Sequence, residues 1–232
     1  TLNHTAVELS KAEGLRRELL ANISHDLRTP LTMITGYAEM MRDLPGEGTP
    51  ENIQVIIDES NRLTRLVNDL LDLSKLQAGV QELTVVRLNL TEMIHGILGR
   101  YAKLTEQDGY QLEVSLKDGV WVDADESKLS QVVYNLINNA VNYTGADKRI
   151  MVRLLEKDGW ARVEIQDTGA GIPSDQLEYV WNRYYRLDRT HKRAAVGTGL
   201  GLSIVKNVLE LHKARYGVES AVGRGSTFWF EL

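Results

Sequence analysis

The chain of 232 residues carries 27 basic and 32 acidic side chains, no cysteine and 43% hydrophobic content. That length admits one large domain or two smaller ones, and a net charge of −5 argues against nucleic acid as a partner. Zero cysteines exclude disulfides, thiolate metal sites and cysteine nucleophiles; with no apolar run beyond three residues and no signal-peptide pattern, the chain reads as a soluble piece of something longer.

From Leu9 to about Met41 the apolar residues follow helical spacing. Leu20, Ile23, Leu27, Leu31, Ile34, Ala38 and Met41 step by three and four, the seam of a coiled coil or bundle. Within this helix Ser24-His-Asp-Leu-Arg-Thr-Pro-Leu31 sets a proline five residues after a histidine. Proline removes a helix hydrogen bond and typically kinks the helix. A neutral imidazole such as that of His25 is a competent nucleophile, and a carboxylate beside it, here Asp26, can take its proton or fix its tautomer. A surface histidine on a bundle is the plainer alternative, and it suffices for His4, His95 and His212.

Asp43 to Pro50 is dense in glycine and proline and reads as a turn. A second seam follows at Ile53, Ile56, Ser60, Leu63, Val67, Leu70 and Ser74, so the two helices form an antiparallel hairpin. Ile57, Leu66 and Leu71 lie beside that seam. Pairing two hairpins into a four-helix bundle covers them, and a symmetric homodimer is the common way to do so. Packing on the C-terminal half of the same chain is the other way.

After Ala78-Gly79 the pattern changes. Leu112, Val114 and Leu116 alternate as a half-buried strand, as do Val152 with Leu154 and Val163 with Ile165. Asp125 to Thr144 reads as a helix, with Asp125 or Ser127 near its cap and Gly145 past its end. A helix from about Leu200 to His212 precedes strands near 217–221 and 227–232. Helices grouped with runs of strands, without strict alternation, indicate an α/β sandwich of the α+β kind.

Three glycine-bearing segments stand in this half: Asp167-Thr-Gly-Ala-Gly-Ile172, Gly197-Thr-Gly-Leu-Gly-Leu202 and Gly223-Arg-Gly-Ser-Thr-Phe228. Glycines just before a helix let backbone N–H groups approach a phosphate, although each segment alone could be a turn. Asn135, Asn139 and Asn142 share one face of a helix, where asparagine is a poor former and therefore wants a reason. Their amide oxygens suit magnesium, a hard cation; a solvated polar face is the alternative. Asp167 ends an apolar strand and could accept from an amino group such as that of adenine, or simply cap a turn.

In this order the segments resemble the cytoplasmic core of a bacterial sensor histidine kinase. SHDLRTPL is similar to the family's phosphoacceptor motif, NLINNAVNY to its N box, and DTGAGI, GTGLGL and GRGSTF to its glycine boxes. Val180-Trp-Asn-Arg-Tyr-Tyr-Arg186 takes the place of its F box. The resemblance covers roughly residues 10–232. It implies a multi-domain chain: a helical hairpin over 1–79 for dimerisation and histidine phosphotransfer, then an α/β sandwich of the GHKL ATPase type over 80–232.

The resemblance further implies that His25 attacks the ATP γ-phosphate with Asp26 as general base. It gives Asn139 the magnesium, Asn135 a place near the phosphates, and Tyr143 a place against base or ribose. Asp167 would read the adenine amino group, with Gly169 and Gly171 allowing close approach and Ile172 beside them. Arg183 would reach the phosphates, while Gly197, Thr198, Gly199, Leu200 and Gly201 would shape the lid and the phosphate-facing helix start. Thr29 matches the position that orients water when such proteins dephosphorylate their partner, the receiver domain of a response regulator. A homodimer anchored to a membrane by segments outside this chain, with this portion in the cytoplasm, is implied in the same way.

Three departures stand out. Asn142, grouped with the nucleotide residues, replaces a common lysine. Trp181 and Tyr184 replace the usual F-box residues, and Lys213-Ala214 replaces a glycine pair, which puts the local turn in question. A non-catalytic nucleotide-binding dimeric scaffold, or a GHKL ATPase driving a clamp, are the competing readings; intact His25, Asp26, Asn139 and Asp167 weigh against the first and the hairpin against the second.

Overall fold

The computed structural model describes residues 2–77, 83–101, 105–106, 108–182 and 200–232, with side chains from residue 23 onward except at 69, 72, 73 and 75–77. The chain divides into two compact units, Thr1–Ser74 and Lys75–Leu232.

The first unit is a pair of helices, α1 (Leu2–Asp43) and α2 (Pro50–Gln77). α1 continues through Pro30, whose ring is buried. The turn after it closes on Gly46, which has φ of 94°. Asn52 then ties the turn down by donating to the Glu47 carbonyl at 2.8 Å and to its carboxylate at 3.1 Å. Thr49 caps α2, its hydroxyl accepting from the Asn52 N–H at 3.2 Å, and Pro50 takes the first helical position, where a missing N–H costs nothing.

The covered stripe of α2 differs from the expected seam. Leu66, expected beside it, is the most buried of its described apolar residues at 4% exposure, and Ile56, Leu63 and Leu70 are half-buried. Ile53 and Val67, expected within the seam, are exposed together with Ile57 and Leu71. The helix therefore carries two apolar stripes about a quarter-turn apart, and periodicity alone does not say which one meets its own hairpin.

The second unit is a sheet covered on one face by helices. Its elements are β1 (Val86–Asn89), α3 (Leu90–Leu98), β2 (Gln111–Leu116), β3 (Trp121–Ala124), α4 (Glu126–Tyr143), β4 (Arg149–Lys157), β5 (Trp160–Asp167), α5 (Gly201–Leu211), β6 (Arg215–Ser220) and β7 (Ser226–Glu231), with short 3-10 turns at Gly99–Tyr101 and Ser174–Gln176. The main sheet runs β2-β4-β5-β7-β6, with β2 parallel to β4 and the other pairs antiparallel; β1 and β3 form a separate antiparallel ribbon.

Alternation decides the layers. Ala161, Val163, Ile165 and Asp167 of β5 point to the buried side, as do Ser226, Phe228 and Phe230 of β7. Leu129, Val132, Val133, Leu136 and Ile137 of α4 and Ile204, Val205, Val208 and Leu209 of α5 are buried, and these helices form the cover with α3. On the opposite face Arg162 bonds Glu164 at 2.7 Å and Glu231 at 3.0 Å while its guanidinium lies 4.2 Å over Trp229. The sandwich expected from the sequence is present. β1, α3 and β3 are additions to it; the signal for α3 is Asn89 as cap followed by Leu90, Met93, Ile94, Ile97 and Leu98 at helical spacing.

The Lys213-Ala214 departure leaves the turn after α5 intact. Lys213 adopts φ of 56°, and the Ala214 N–H reaches the Leu209 carbonyl at 2.9 Å. A lysine in the left-handed region costs about 1–2 kcal/mol that a glycine would not.

Candidate functional site

His25 lies on the exposed surface of α1. Its side chain is 78% accessible, and its Nδ1 faces Asp26 Oδ1 at 3.6 Å. The Thr29 hydroxyl donates back to the His25 carbonyl at 3.2 Å, the local bond that serine and threonine commonly make one helical turn back. Histidine, carboxylate and hydroxyl thus share one turn of helix, with the imidazole Nε2 on the side away from Asp26.

In the second unit, α4, the loop after β5, the loop after β6 and the start of α5 supply the expected residues. Asp125 caps α4, accepting from the Lys128 N–H at 3.0 Å. Further along, Asn135, Asn139 and Asn142 are half-buried on one helical face, and Tyr143 at its end keeps 40% of its surface exposed. Asn135 is unusual: its side-chain amide nitrogen is buried and has no hydrogen-bond partner among the described residues. A buried amide without a partner costs free energy that a ligand could relieve. Gly201 stands beside it, since a Cβ there would lie 3.8 Å from the Asn135 side-chain oxygen.

Asp167 ends β5 and is 2% exposed. Burial pushes its carboxyl above the ordinary carboxylate value, while the N–H groups of Gly169 and Ser226 pull it back in part. The Gly169 bond measures 2.8 Å. A partly compensated acceptor at the rim of a buried strand end is suited to a ligand that brings a donor.

The glycines of these loops have a packing reason besides any ligand. A Cβ on Gly169 would sit 1.9 Å from the Tyr143 carbonyl oxygen, one on Gly171 2.0 Å from that of Ala221, and one on Gly225 2.0 Å from that of Asp167. Gly171 also has φ of 71°. Three backbone crossings thus interlock the end of α4 with the loops after β5 and β6. Ile172 is buried, and its N–H donates to the Ser220 hydroxyl at 2.8 Å. Leu200 is buried, and its carbonyl starts α5 by accepting from Ile204 at 2.9 Å.

Arg183, Gly197, Thr198 and Gly199 lie outside the described residues, as does Tyr184. Trp181 is described and stacks edge-on with Tyr216 at 5.0 Å and Phe228 at 5.6 Å. Sequence reasoning did not single out the Ser226 N–H on Asp167, nor the hydroxyl cluster in which Thr144 and Thr168 lie 3.1 Å apart and Thr168 donates to Asp147 at 2.6 Å. Thr168 and Ser226 lie inside the glycine-bearing segments and Thr144 and Asp147 outside them, and a backbone donor such as Ser226 N–H leaves no mark in the sequence. Among the described residues no group of His, Asp and Glu forms a metal cluster, and no helix is long and apolar enough to cross a membrane.

Comparison with known proteins bears on both units. The family described as His Kinase A (phospho-acceptor) domain matches residues 15–79. The family described as histidine kinase-, DNA gyrase B- and HSP90-like ATPase matches residues 124–232. The sensor protein kinase WalK of Staphylococcus saprophyticus is 33% identical over 99% of this chain, which spans 38% of that protein's length. Full-length ShkA, solved in complex with AMPPNP, superposes with a TM-score of 0.69 at 26% identity, over 93% of this chain and 45% of that one. The Acinetobacter baumannii histidine kinase AdeS shares the fold, with a TM-score of 0.72 at 22% identity over 90% of this chain and 96% of its own. Phosphoacceptor and ATPase matches follow one another in a single chain that a sensor kinase parallels nearly end to end, and the chain belongs to the bacterial sensor histidine kinases.

Proposed function

We propose that this chain is the ATP-dependent autokinase portion of its protein, with residues 1–79 as the dimerising phosphotransfer hairpin and 80–232 as the ATP-binding domain. The observation that carries the reading is the exposed imidazole of His25 with its Nδ1 turned to Asp26 at 3.6 Å. In that arrangement the Nε2 lone pair forms a bond to the γ-phosphorus, and the bond to the β–γ bridging oxygen breaks. ADP leaves with that electron pair, and Asp26 takes the Nδ1 proton.

Asp167 supports the adenine end, because a buried acceptor gains most from an amino donor. Asn135 supports the phosphate end with its unbonded amide beside the first residue of α5, where helix N–H groups favour anions. Asn139 would hold magnesium through its amide oxygen, with Asn142 near the phosphates and Tyr143 against the base or ribose. Magnesium, when bound, neutralises phosphate charge during transfer. Gly169, Gly171, Ile172, Leu200 and Gly201 would line the site, and Arg183, Gly197, Thr198 and Gly199 would complete it.

The phosphoryl group would pass from His25 to an aspartate of a response regulator receiver domain, and Thr29 would orient water in the reverse, phosphatase role. A second copy of the hairpin would cover Ile53, Ile57, Val67 and Leu71. The whole protein, of which WalK's length suggests this chain is a part, would be membrane-anchored with this portion in the cytoplasm.

Incubation with γ-labelled ATP and magnesium, beside His25→Gln, tests the reading. Acid-labile, base-stable label on the wild type alone is expected. Equal label on both proteins would remove His25 from its role. Nucleotide binding without any label would favour the scaffold, the reading to which Asn142 in place of lysine lends weight.

A further inference from the structure

Asp125 does more than cap a helix. One carboxylate oxygen accepts from Lys128 N–H at 3.0 Å, which is the cap, while the other accepts from Thr84 N–H at 2.9 Å, 41 residues away in sequence. Its own N–H donates to His212 Nε2 at 3.0 Å, and His212 Nδ1 lies 2.8 Å from the Val208 carbonyl. The acceptor role of Nε2 leaves the ring proton on Nδ1, where it meets that carbonyl. Asp125 is 8% exposed. Burial would raise its carboxyl, yet the N–H groups of Lys128 and Thr84, with His212 and Lys128 nearby, hold it below the ordinary carboxylate value.

These bonds join three parts of the chain. Thr84 lies in the stretch between α2 and β1. Lys128 opens α4, the helix of Asn135, Asn139 and Asn142, and His212 closes α5, the helix that starts at Gly201 beside Asn135. The end of α5 is thus pinned to the start of α4 through Asp125 and His212, and the start of α5 at Gly201 lies beside Asn135, midway along α4.

We propose that Asp125 is a positioning residue that fastens the connecting chain at Thr84 to the two helices of the nucleotide site. This inference rests on the autokinase reading above. A free Thr84 would leave nucleotide binding as it is and loosen the delivery of bound ATP to His25. A helix cap needs one oxygen; the second, spent on a backbone N–H so distant in sequence, is what the cap alone does not explain.

Two substitutions remove the same bond by different means. Asp125→Asn keeps a competent cap but puts an amide N–H where Thr84 needs an acceptor. Thr84→Pro deletes the donor and leaves Asp125 untouched. For wild type, both variants and the double variant, the measurements are the dissociation constant of a fluorescent ATP analogue and the rate of His25 labelling at saturating ATP. Nucleotide affinity within about twofold of wild type, with labelling slowed about fivefold or more and by the same factor in all three, is the expected result. Wild-type labelling rates in either folded single variant would overturn the proposal. So would affinity lost in step with rate, which would make Asp125 a cap alone. A wild type that binds nucleotide without labelling sinks the autokinase reading first and this one with it, whereas a labelling wild type with unaffected variants sinks this one only.

Discussion

Asp167 shows how one buried side chain ties stability to pH, and its proposed role would tie it to binding as well. Its carboxyl titrates above the ordinary 3.8 because burial disfavours the charge. The folded state therefore keeps its proton to higher pH than the unfolded chain, and stability falls as pH rises through the interval just above 3.8. Asp125 has the opposite sign: held below 3.8, it stabilises the fold at neutral pH, and that contribution is lost as pH falls through its lowered value. Asp167→Asn should flatten the first of these trends in a series of melting curves across mildly acid pH. It should also weaken nucleotide binding by about 10- to 100-fold, the usual worth of a hydrogen bond to a charged group. Unchanged affinity in a titration would show that the carboxylate does not meet the ligand. At this scale the sequence was informative about residue types and silent about partners. Asp167 was legible as a chemical group, but Ser226 was not, because a backbone donor leaves no trace in its side chain.

Among elements, the loops separate two kinds of glycine that a motif treats alike. Gly169→Ala and Gly171→Ala would drive a methyl against backbone carbonyls at 1.9 and 2.0 Å, so each is expected to destabilise the second unit by at least about 3 kcal/mol in chemical denaturation. Gly201→Ala meets nothing closer than 3.8 Å and is expected to leave stability within about 1 kcal/mol. If the start of α5 receives phosphate, Gly201→Ala should nonetheless weaken ATP binding; a variant with wild-type affinity would leave Gly201 without a binding role. Strands β4 and β5 were legible because one covered face imposes strict alternation. β3 and β1 were not, since a four-residue ribbon offers too few repeats for a period to show. His212 read as a surface histidine from sequence; it is instead half-buried and bonded to Asp125, a partner 87 positions away that no local pattern marks.

For the molecule as a whole, the hairpin presents Ile53, Ile57, Val67 and Leu71 to solvent, each more than 40% exposed. Apolar side chains repeated along a helix in this way mark an interaction surface, and under the reading proposed above a second copy would cover them. Ile57→Glu with Leu71→Glu is expected to shift the sedimentation of the chain from dimer to monomer while the second unit keeps its nucleotide affinity. A wild-type chain that sediments as a monomer would instead leave the stripe to some other cover. The two-part organisation was plain from the change of period near residue 80, but the choice between two apolar stripes of α2 was not, because both carry Ile, Val and Leu.

Pro30 gives the 42-residue first helix an uneven backbone ladder. It has no N–H to offer the Asp26 carbonyl, while the His25 carbonyl one step before receives an extra bond from the Thr29 hydroxyl. One rung is missing and its neighbour is doubled at the turn that holds the imidazole. In backbone N–H bonds alone, this turn holds one fewer than a turn without proline. If His25 is the acceptor proposed above, this turn is where its orientation toward a donor nucleotide or a receiving carboxylate would change with the least disturbance to the helix on either side.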